Sequence, residues 1–267
     1  MSSDPVTPLI AVDIGNSRIK LGLFDRGSEV DKVVEPLRIL ELPAQDWDAA
    51  RLTSWLPAGP AWAEWWIASV NRPAAAHLTD WIARQGSTPS GHSAPVRMLN
   101  AADLPLEVRL EHPERVGMDR LAAATAAARL RAPRRAALVV DSGSAITVDY
   151  ISADGAFMGG AILPGLGLAA RALHQFTDLL PLVPLGELSE PPPPLGTSTV
   201  TAIRSGLYWG AVGAVRELAE RLSAGISPPP ELFLTGGAGP HLARALPNPV
   251  RIVPHLVLSG IAMARRS

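Results

Sequence analysis

LVVDSGSAITVDYISADGAFMGGAILPG, residues Leu138 to Gly165, is the stretch on which the fold turns. It opens on Leu138-Val139-Val140, an apolar run rich in β-branched residues and too short for a helix, and so reads as a buried strand. Asp141 stands at the strand's end, before a tight turn of small residues, Ser142-Gly143-Ser144. Alternation returns in Ile146-Thr147-Val148-Asp149-Tyr150, a second strand antiparallel to the first, and Asp154-Gly155 is a hairpin turn signal. Gly159 to Gly165 is apolar backbone punctuated by glycine. A strand-end carboxylate beside a turn with free N–H groups can cradle a phosphate and its metal. An ordinary strand–turn–strand with a capped aspartate would use the same residues.

A second copy weighs between the two. Leu9-Ile10-Ala11-Val12-Asp13-Ile14-Gly15-Asn16-Ser17-Arg18-Ile19-Lys20-Leu21-Gly22-Leu23-Phe24-Asp25 repeats the order of apolar strand, Asp, one residue, Gly, small residues and alternating strand, and a turn follows at Arg26-Gly27. Asp13 and Asp141 are thus equivalent points in two halves of a duplicated architecture. A paired set of strand-end carboxylates favours a nucleotide-phosphate site with a metal.

Composition bounds the rest. With 267 residues, 47% of them apolar, the chain can form one large or two small domains around a sizeable core. A net charge of -1 and no basic tract interleaved with aromatics argue against nucleic acid as a partner. The absence of cysteine excludes disulfides and thiolate metal sites. Met1 to Pro8 has neither the basic nor the apolar region of a signal peptide, and no apolar run approaches a membrane span, so a cytoplasmic protein with no membrane partner is expected.

Along the chain, helices are expected over Asp46 to Leu56 and over Ala74 to Gln85, the latter stopped by Gly86, with a strand over Glu64 to Val70 between them. Six of the seven tryptophans fall between Trp47 and Trp81; core packing is favoured over an aromatic binding surface because Trp is buried on average. Ser87 to Pro95 reads as a polar loop, Val96 to Leu99 as a strand and Glu107 to Leu110 as a short extended piece. Val116-Gly117-Met118-Asp119-Arg120 leads into an alanine-rich helix from Leu121 to Leu130, whose composition suits close packing in a central position. Further helices are expected over Leu168 to Phe176, Val200 to Ala224 and from about Val257, with a last strand at Glu231 to Thr235. The four prolines before Leu195 read as a stiff connector rather than a polyproline ligand. The six histidines show no metal-ligand spacing.

In order and spacing, four motifs resemble those of type III pantothenate kinase: D-x-G-N-[TS] at Asp13 to Ser17, G-x-D-R at Gly117 to Arg120, D-x-G-[TS]-A-x-T-x-D at Asp141 to Asp149, and G-G-x-I-x-P-G at Gly159 to Gly165. The strand ending in Leu234-Thr235-Gly236-Gly237 and the helix opening near Thr199 fit as well. The resemblance implies an α/β, actin/hexokinase-like (ribonuclease H-like) duplicated two-lobe fold, with mixed sheets flanked by helices. Residues 1–132 would form the N-terminal lobe, with the first phosphate loop and the substrate segment; residues 133–267 would form the C-terminal lobe, with the second phosphate loop and the cation site. It also implies phosphorylation of pantothenate by ATP, the opening step of coenzyme A synthesis, by a homodimer whose substrate pocket involves the partner subunit.

Carried over by position, the resemblance makes Asp13, Ile14, Gly15, Asn16, Ser17, Arg18, Ile19 and Lys20 the first phosphate loop, and Ser144 a second ATP contact. Asp141 would hold a monovalent cation, K⁺ or NH₄⁺, and Asp13 would act on Mg²⁺, directly or through water. Gly117, Met118, Asp119, Arg120 and Thr199 would hold pantothenate, with Asp119 the proton acceptor. Phosphoryl transfer needs this set: charge neutralisation at the phosphates and a base aligned on the attacking hydroxyl. Arg120 could grip a carboxylate or phosphoryl group with its planar fork, or simply form a helix-start ion pair with Asp119. Leu110 occupies a substrate position where the family often has Tyr, and Ser17 and Ser144 stand where Thr is commoner. Two other readings remain open: a non-catalytic accessory or regulatory relative, and another small-molecule kinase of this fold.

Overall fold

The computed structural model describes residues 7–25, 33, 35–85, 94–246 and 249–264. In chain order the elements are β1 (Leu9–Ile14), β2 (Arg18–Phe24), β3 (Arg38–Pro43), α1 (Ala49–Trp55), β4 (Glu64–Ser69), α2 (Arg72–Gln85), β5 (Val96–Met98) and α3 (Met118–Leu130). Then come β6 (Ala137–Ser142), β7 (Ala145–Ile151), β8 (Phe157–Pro164), α4 (Leu166–Gln175), α5 (Thr199–Ser223), β9 (Glu231–Thr235), α6 (Gly239–Ala243), β10 (Val250–Ile252) and α7 (Leu256–Ala262).

The strands form two five-stranded sheets, ordered β3-β2-β1-β4-β5 and β10-β9-β6-β7-β8. From β1, the neighbours on one side run antiparallel (β2, then β3) and on the other parallel (β4, then β5). From β6 the pattern repeats, with β7 and β8 antiparallel and β9 and β10 parallel. The duplication read from two short motifs therefore extends to the whole topology, and it is the expected two-fold mixed-sheet architecture.

The chain divides into two compact units. The first comprises residues 1–106, 111–130 and 255–267, the second residues 107–110 and 131–254. The sequence boundary at 132/133 lies close to the crossing at 130/131, but the final helix, assigned by position to the second lobe, packs in the first unit.

In the first unit, side-chain alternation gives the sheet two different faces. Ile10, Val12, Ile14, Ile19, Leu21, Leu40, Leu42, Trp65 and Ile67 form one core with Leu52 and Trp55 of α1 and Leu78 and Ile82 of α2. Trp47, Trp55, Trp65 and Trp66 are buried and Trp62 and Trp81 pack against the same cluster, so the tryptophans are core. The opposite face carries Ala11, Asp13, Lys20 and Gly22 and is covered by α7, whose Leu258 fits over Gly22. Every residue from Leu256 to Ile261 is buried. A seven-residue helix has no stability of its own; burial of its large apolar side chains, each worth about 1.5–3 kcal/mol, holds it in place. It crosses α3 at Gly260, where a Cβ would overlap the Ala122 carbonyl. The alanines of α3 serve this close approach, and all residues from Leu121 to Ala127 are buried.

In the second unit, Val140, Ile146, Val148 and Leu234 point to one side of the sheet and pack under Tyr208, Val212 and Val215 of α5 and Leu242 of α6. α5 begins with a capping box: the Ser198 hydroxyl accepts from Thr201 N–H at 3.3 Å, and the Thr201 hydroxyl accepts from Ser198 N–H at 2.9 Å. The proline tract runs beside this helix as a connector, with Trp209 Nε1 donating to the Pro192 carbonyl (3.0 Å) and Ser205 Oγ to that of Pro194 (2.7 Å).

Several boundaries shift for local reasons. α1 starts at Ala49 because Asp48 caps it, its carboxylate accepting from Ala50 N–H at 2.8 Å. α3 starts at Met118 rather than Leu121, which puts Asp119 and Arg120 in its first turn. α6 and β10, of five and three residues, are too short to leave a periodic signal. The Arg26-Gly27 turn, the stop at Gly86 and most of the 87–95 loop lie outside the described residues. No helix among the described residues is long and apolar enough to cross a membrane.

Candidate active site

In the first unit, the end of β1 turns into β2 through Gly15-Asn16-Ser17, closed by Gly15 N–H donating to the Arg18 carbonyl at 2.9 Å. Asn16, Ser17 and Arg18 are exposed, whereas Asp13 behind them is buried, 9% accessible. Asp13 sits opposite Lys20, and Lys20 opposite Glu41, so charges alternate in sign across three strands on the α7 face. His255, in left-handed conformation (φ 58°) just before α7, borders this row. Burial pushes its imidazole below the ordinary value and the Lys20 ammonium adds to this, while Glu41 and Glu35 pull the other way.

Two residues given no role in the sequence anchor this loop. Val70 N–H donates to the Ile14 carbonyl at 3.0 Å. The Asn71 amide donates to the Gly15 carbonyl at 3.4 Å, while its Oδ1 accepts from Ala74 N–H at 3.2 Å. The signal was legible in Asn71-Arg72-Pro73: an Asn followed within two residues by Pro is a helix start.

Val70 also leads to the Gly117 segment. A Cβ on Gly117 would lie 3.4 Å from Val70 Cγ1 and would strike the Asp119 carboxylate. Asp119 Oδ1 accepts from Arg120 N–H at 2.9 Å, a carboxylate folded over the first turn of α3 where the helix dipole favours negative charge. The Asp13 to Lys20 loop and Gly117-Met118-Asp119-Arg120 therefore share one end of the unit, at the carboxyl ends of the parallel strands β1 and β4, where open α/β sheets bind ligands.

In the second unit, half-buried Asp141 is flanked in register by Thr147 on β7 and Thr235 on β9, facing away from the α5 core. Backbone closes around it. Gly236 is left-handed (φ 85°), and a Cβ there would collide with Asp141 Oδ1 and the Ser142 carbonyl. Gly165 N–H donates to the Ser144 carbonyl at 3.1 Å, and Ala238 N–H to that of Ser142 at 3.1 Å. Ser144 itself is exposed in its turn. Thr147 is 9% accessible, and its hydroxyl has no hydrogen-bond partner among the described residues. An orphaned buried hydroxyl costs about 1–3 kcal/mol. A carboxylate and an unsatisfied hydroxyl on one face of the sheet are oxygen donors that fit a hard cation.

Leu110 and Thr199 also lie in this unit. The 107–110 segment pairs with the start of β8, Arg109 N–H donating to the Phe157 carbonyl at 3.0 Å. Arg109 clamps it by bridging Glu107 (2.8 Å) and Asp154 (2.6 Å), and the Ser152 hydroxyl together with Arg109 holds the Asp154 carboxyl at about 2. Leu110 packs beside Gly159. Thr199 lies elsewhere, in an 810 Å³ groove with Leu173, Leu180, Gly196 and Leu207. A groove of 980 Å³ between α5 and the starts of β6, β9 and β10 is at the other end of the strands, and no predicted site residue lines it.

A sequence profile of the family described as type III pantothenate kinase matches residues 9–221. The chain belongs to that family. It is 31% identical to the type III pantothenate kinase of Solibacter usitatus (strain Ellin6076), across 96% of this chain and 95% of the relative. Identity to the type III pantothenate kinase of Anaeromyxobacter dehalogenans (strain 2CP-C) is 38%, over 58% of this chain and 59% of the relative, so the chain's match spans about three-fifths of that relative's length. Among solved structures, ethanolamine utilization protein EutJ from Carboxydothermus hydrogenoformans superposes with a TM-score of 0.53 at 14% identity, over 98% of this chain and 91% of that one, a likeness of fold alone. The family match covers the Asp13 loop, the Gly117 segment and the Asp141 turn but ends before Gly236. The geometry adds the close approach of Gly236 to the Asp141 carboxylate and the anchoring of the first loop by Asn71.

Proposed function

We propose that this chain phosphorylates pantothenate with ATP, in the cytoplasm, using Mg²⁺ and a monovalent cation. The observation that carries the proposal is the junction at Val70, which joins the Asp13 loop to the Asp119 segment within one unit. In this reading, residues Asp13 to Lys20 bind the ATP phosphates through backbone N–H groups and the Lys20 ammonium, with the Ser144 hydroxyl as a further contact. Mg²⁺ near Asp13, when bound, neutralises charge developing on the phosphate oxygens. Asp141 holds the monovalent cation. Leu110, Gly117, Met118, Arg120 and Thr199 position pantothenate. The Asp119 carboxylate takes the proton of the substrate alcohol as its oxygen bonds to the γ-phosphorus and the bond to ADP breaks.

The test is ADP release by purified protein with ATP, Mg²⁺ and pantothenate, in K⁺, NH₄⁺ or Na⁺. Pantothenate-dependent release, raised by K⁺ or NH₄⁺, is expected. Release driven by a sugar and not by pantothenate would assign another kinase of this fold. No release with any acceptor would assign a non-catalytic relative, for which Leu110 in place of the usual phenol is the one favouring observation.

The same reading includes a homodimer. Between Arg204 and Arg216, α5 carries no charge, and its outward face presents Gly206, Trp209, Gly210 and Gly213. A Cβ at any of these three glycines would meet nothing within 4 Å, so nothing among the described residues requires glycine there, although each costs about 1 kcal/mol relative to Ala. A second copy of the helix approaching closely supplies the reason. Gly206 also lines the Thr199 groove, which puts this face beside the pantothenate position. Light scattering should give twice 28.1 kDa for the wild type and 28.1 kDa for Gly210→Arg. A monomeric wild type at micromolar concentration would remove the dimer.

A further inference from the structure

We propose that Thr147 is a second oxygen ligand of the monovalent cation at Asp141, an inference that rests on the cation site in the function proposed above. Thr147 lies directly across the β6–β7 ladder from Asp141, so both side chains project from the same face, with Cβ atoms about 4.5–5.5 Å apart. Its hydroxyl is buried and has no hydrogen-bond partner among the described residues. Ile146 and Val148 on either side are apolar and β-branched, and Val in place of Thr147 would serve the strand equally well without leaving an oxygen unsatisfied. What valine could not do is offer a lone pair on the face of the sheet that carries the Asp141 carboxylate.

The charge count suits a monovalent ion. One carboxylate neutralises one positive charge, and a hydroxyl adds coordination without adding charge. A divalent ion on the same pair would remain half-compensated. Among the described residues, no group of three or more His, Asp or Glu side chains converges as a divalent site. The pair Asp141–Thr147 therefore selects by charge as well as by oxygen donors.

Melting temperature measured against K⁺, with a large organic cation holding ionic strength constant, tests this without relying on turnover. Wild type and Thr147→Ser should show a saturable, K⁺-specific rise. Thr147→Val should need at least tenfold more K⁺ for the half-maximal rise, yet melt no lower than wild type in the absence of K⁺, because the substitution removes an unsatisfied hydroxyl. Asp141→Asn should lose the rise. A Thr147→Val titration that overlays the wild type would overturn the proposal, as would a lower K⁺-free melting temperature with unchanged half-saturation. If pantothenate-dependent turnover is present but the wild type shows no K⁺-specific rise, the ligand role fails and the kinase survives. If K⁺ binding depends on Thr147 but no acceptor is phosphorylated, the ligand role stands and the kinase falls.

Discussion

Asp119→Asn folds like the wild type and loses about 10²–10⁴-fold in kcat for pantothenate phosphorylation, with KM for either substrate little changed. Asparagine keeps the oxygen that accepts Arg120 N–H at 2.9 Å, so the first turn of α3 remains capped. It also keeps the side chain's volume beside Gly117, where the carboxylate already occupies the space a Cβ would need. Only the capacity to take a proton is removed. A change confined to kcat, with the circular dichroism spectrum and melting temperature intact, separates loss of the base from loss of the helix start. Retention of more than about a tenth of the wild-type rate would exclude Asp119 as the base, since general-base catalysis contributes at least tenfold more than that. Replacement by alanine is less informative, because it uncaps the helix as well.

The largest effect on stability is expected at Gly260, where α7 meets α3. A Cβ there overlaps the Ala122 carbonyl, and a backbone oxygen inside a helix cannot rotate away. Ordinary exposed helix positions gain about 1 kcal/mol when Gly becomes Ala. Gly260→Ala should instead destabilise, because α7 and α3 must part. Gly260→Val should cost about 3 kcal/mol or more, at the upper end of overpacking in a core. For a domain of 150–250 residues that lowers Tm by roughly 6–12 °C, readable by calorimetry, with unfolding on expression at the extreme. If Gly260→Ala melted higher than the wild type, the close crossing of α3 and α7 would be wrong.

Much of the architecture was legible because two local rules coincided twice. An apolar strand ending in Asp, followed by a turn of small residues, identified β1 and β6, and alternation identified β2 and β7. The matching order of neighbours around both then followed from topology rather than from residue pattern. Pattern could not say which sheet a helix covers: α7 has a clear apolar sequence, but its partner, the alanine ridge of α3, lies more than a hundred residues earlier. Within the site, Asp13 and Asp141 stood out as matching strand-end carboxylates, and Asp119 through the G-x-D-R motif of the family resemblance. Val70, Asn71 and Gly236 were given no individual role, since their importance lies in what they touch. Thr147 was visible as the T of the D-x-G-[TS]-A-x-T-x-D motif on an alternating strand; its place opposite Asp141 and the missing partner of its hydroxyl emerge only in the structure.

The return of α7 to the first unit has a consequence for synthesis. Residues 1–130 leave the ribosome with one side of β1 and the alanine ridge of α3 lacking their cover, and the missing seven-residue helix is translated more than a hundred residues later. At about 5–20 residues per second, the interval before it emerges is on the order of ten seconds. During that time the nascent N-terminal half must wait, half-clothed, for its own tail to arrive.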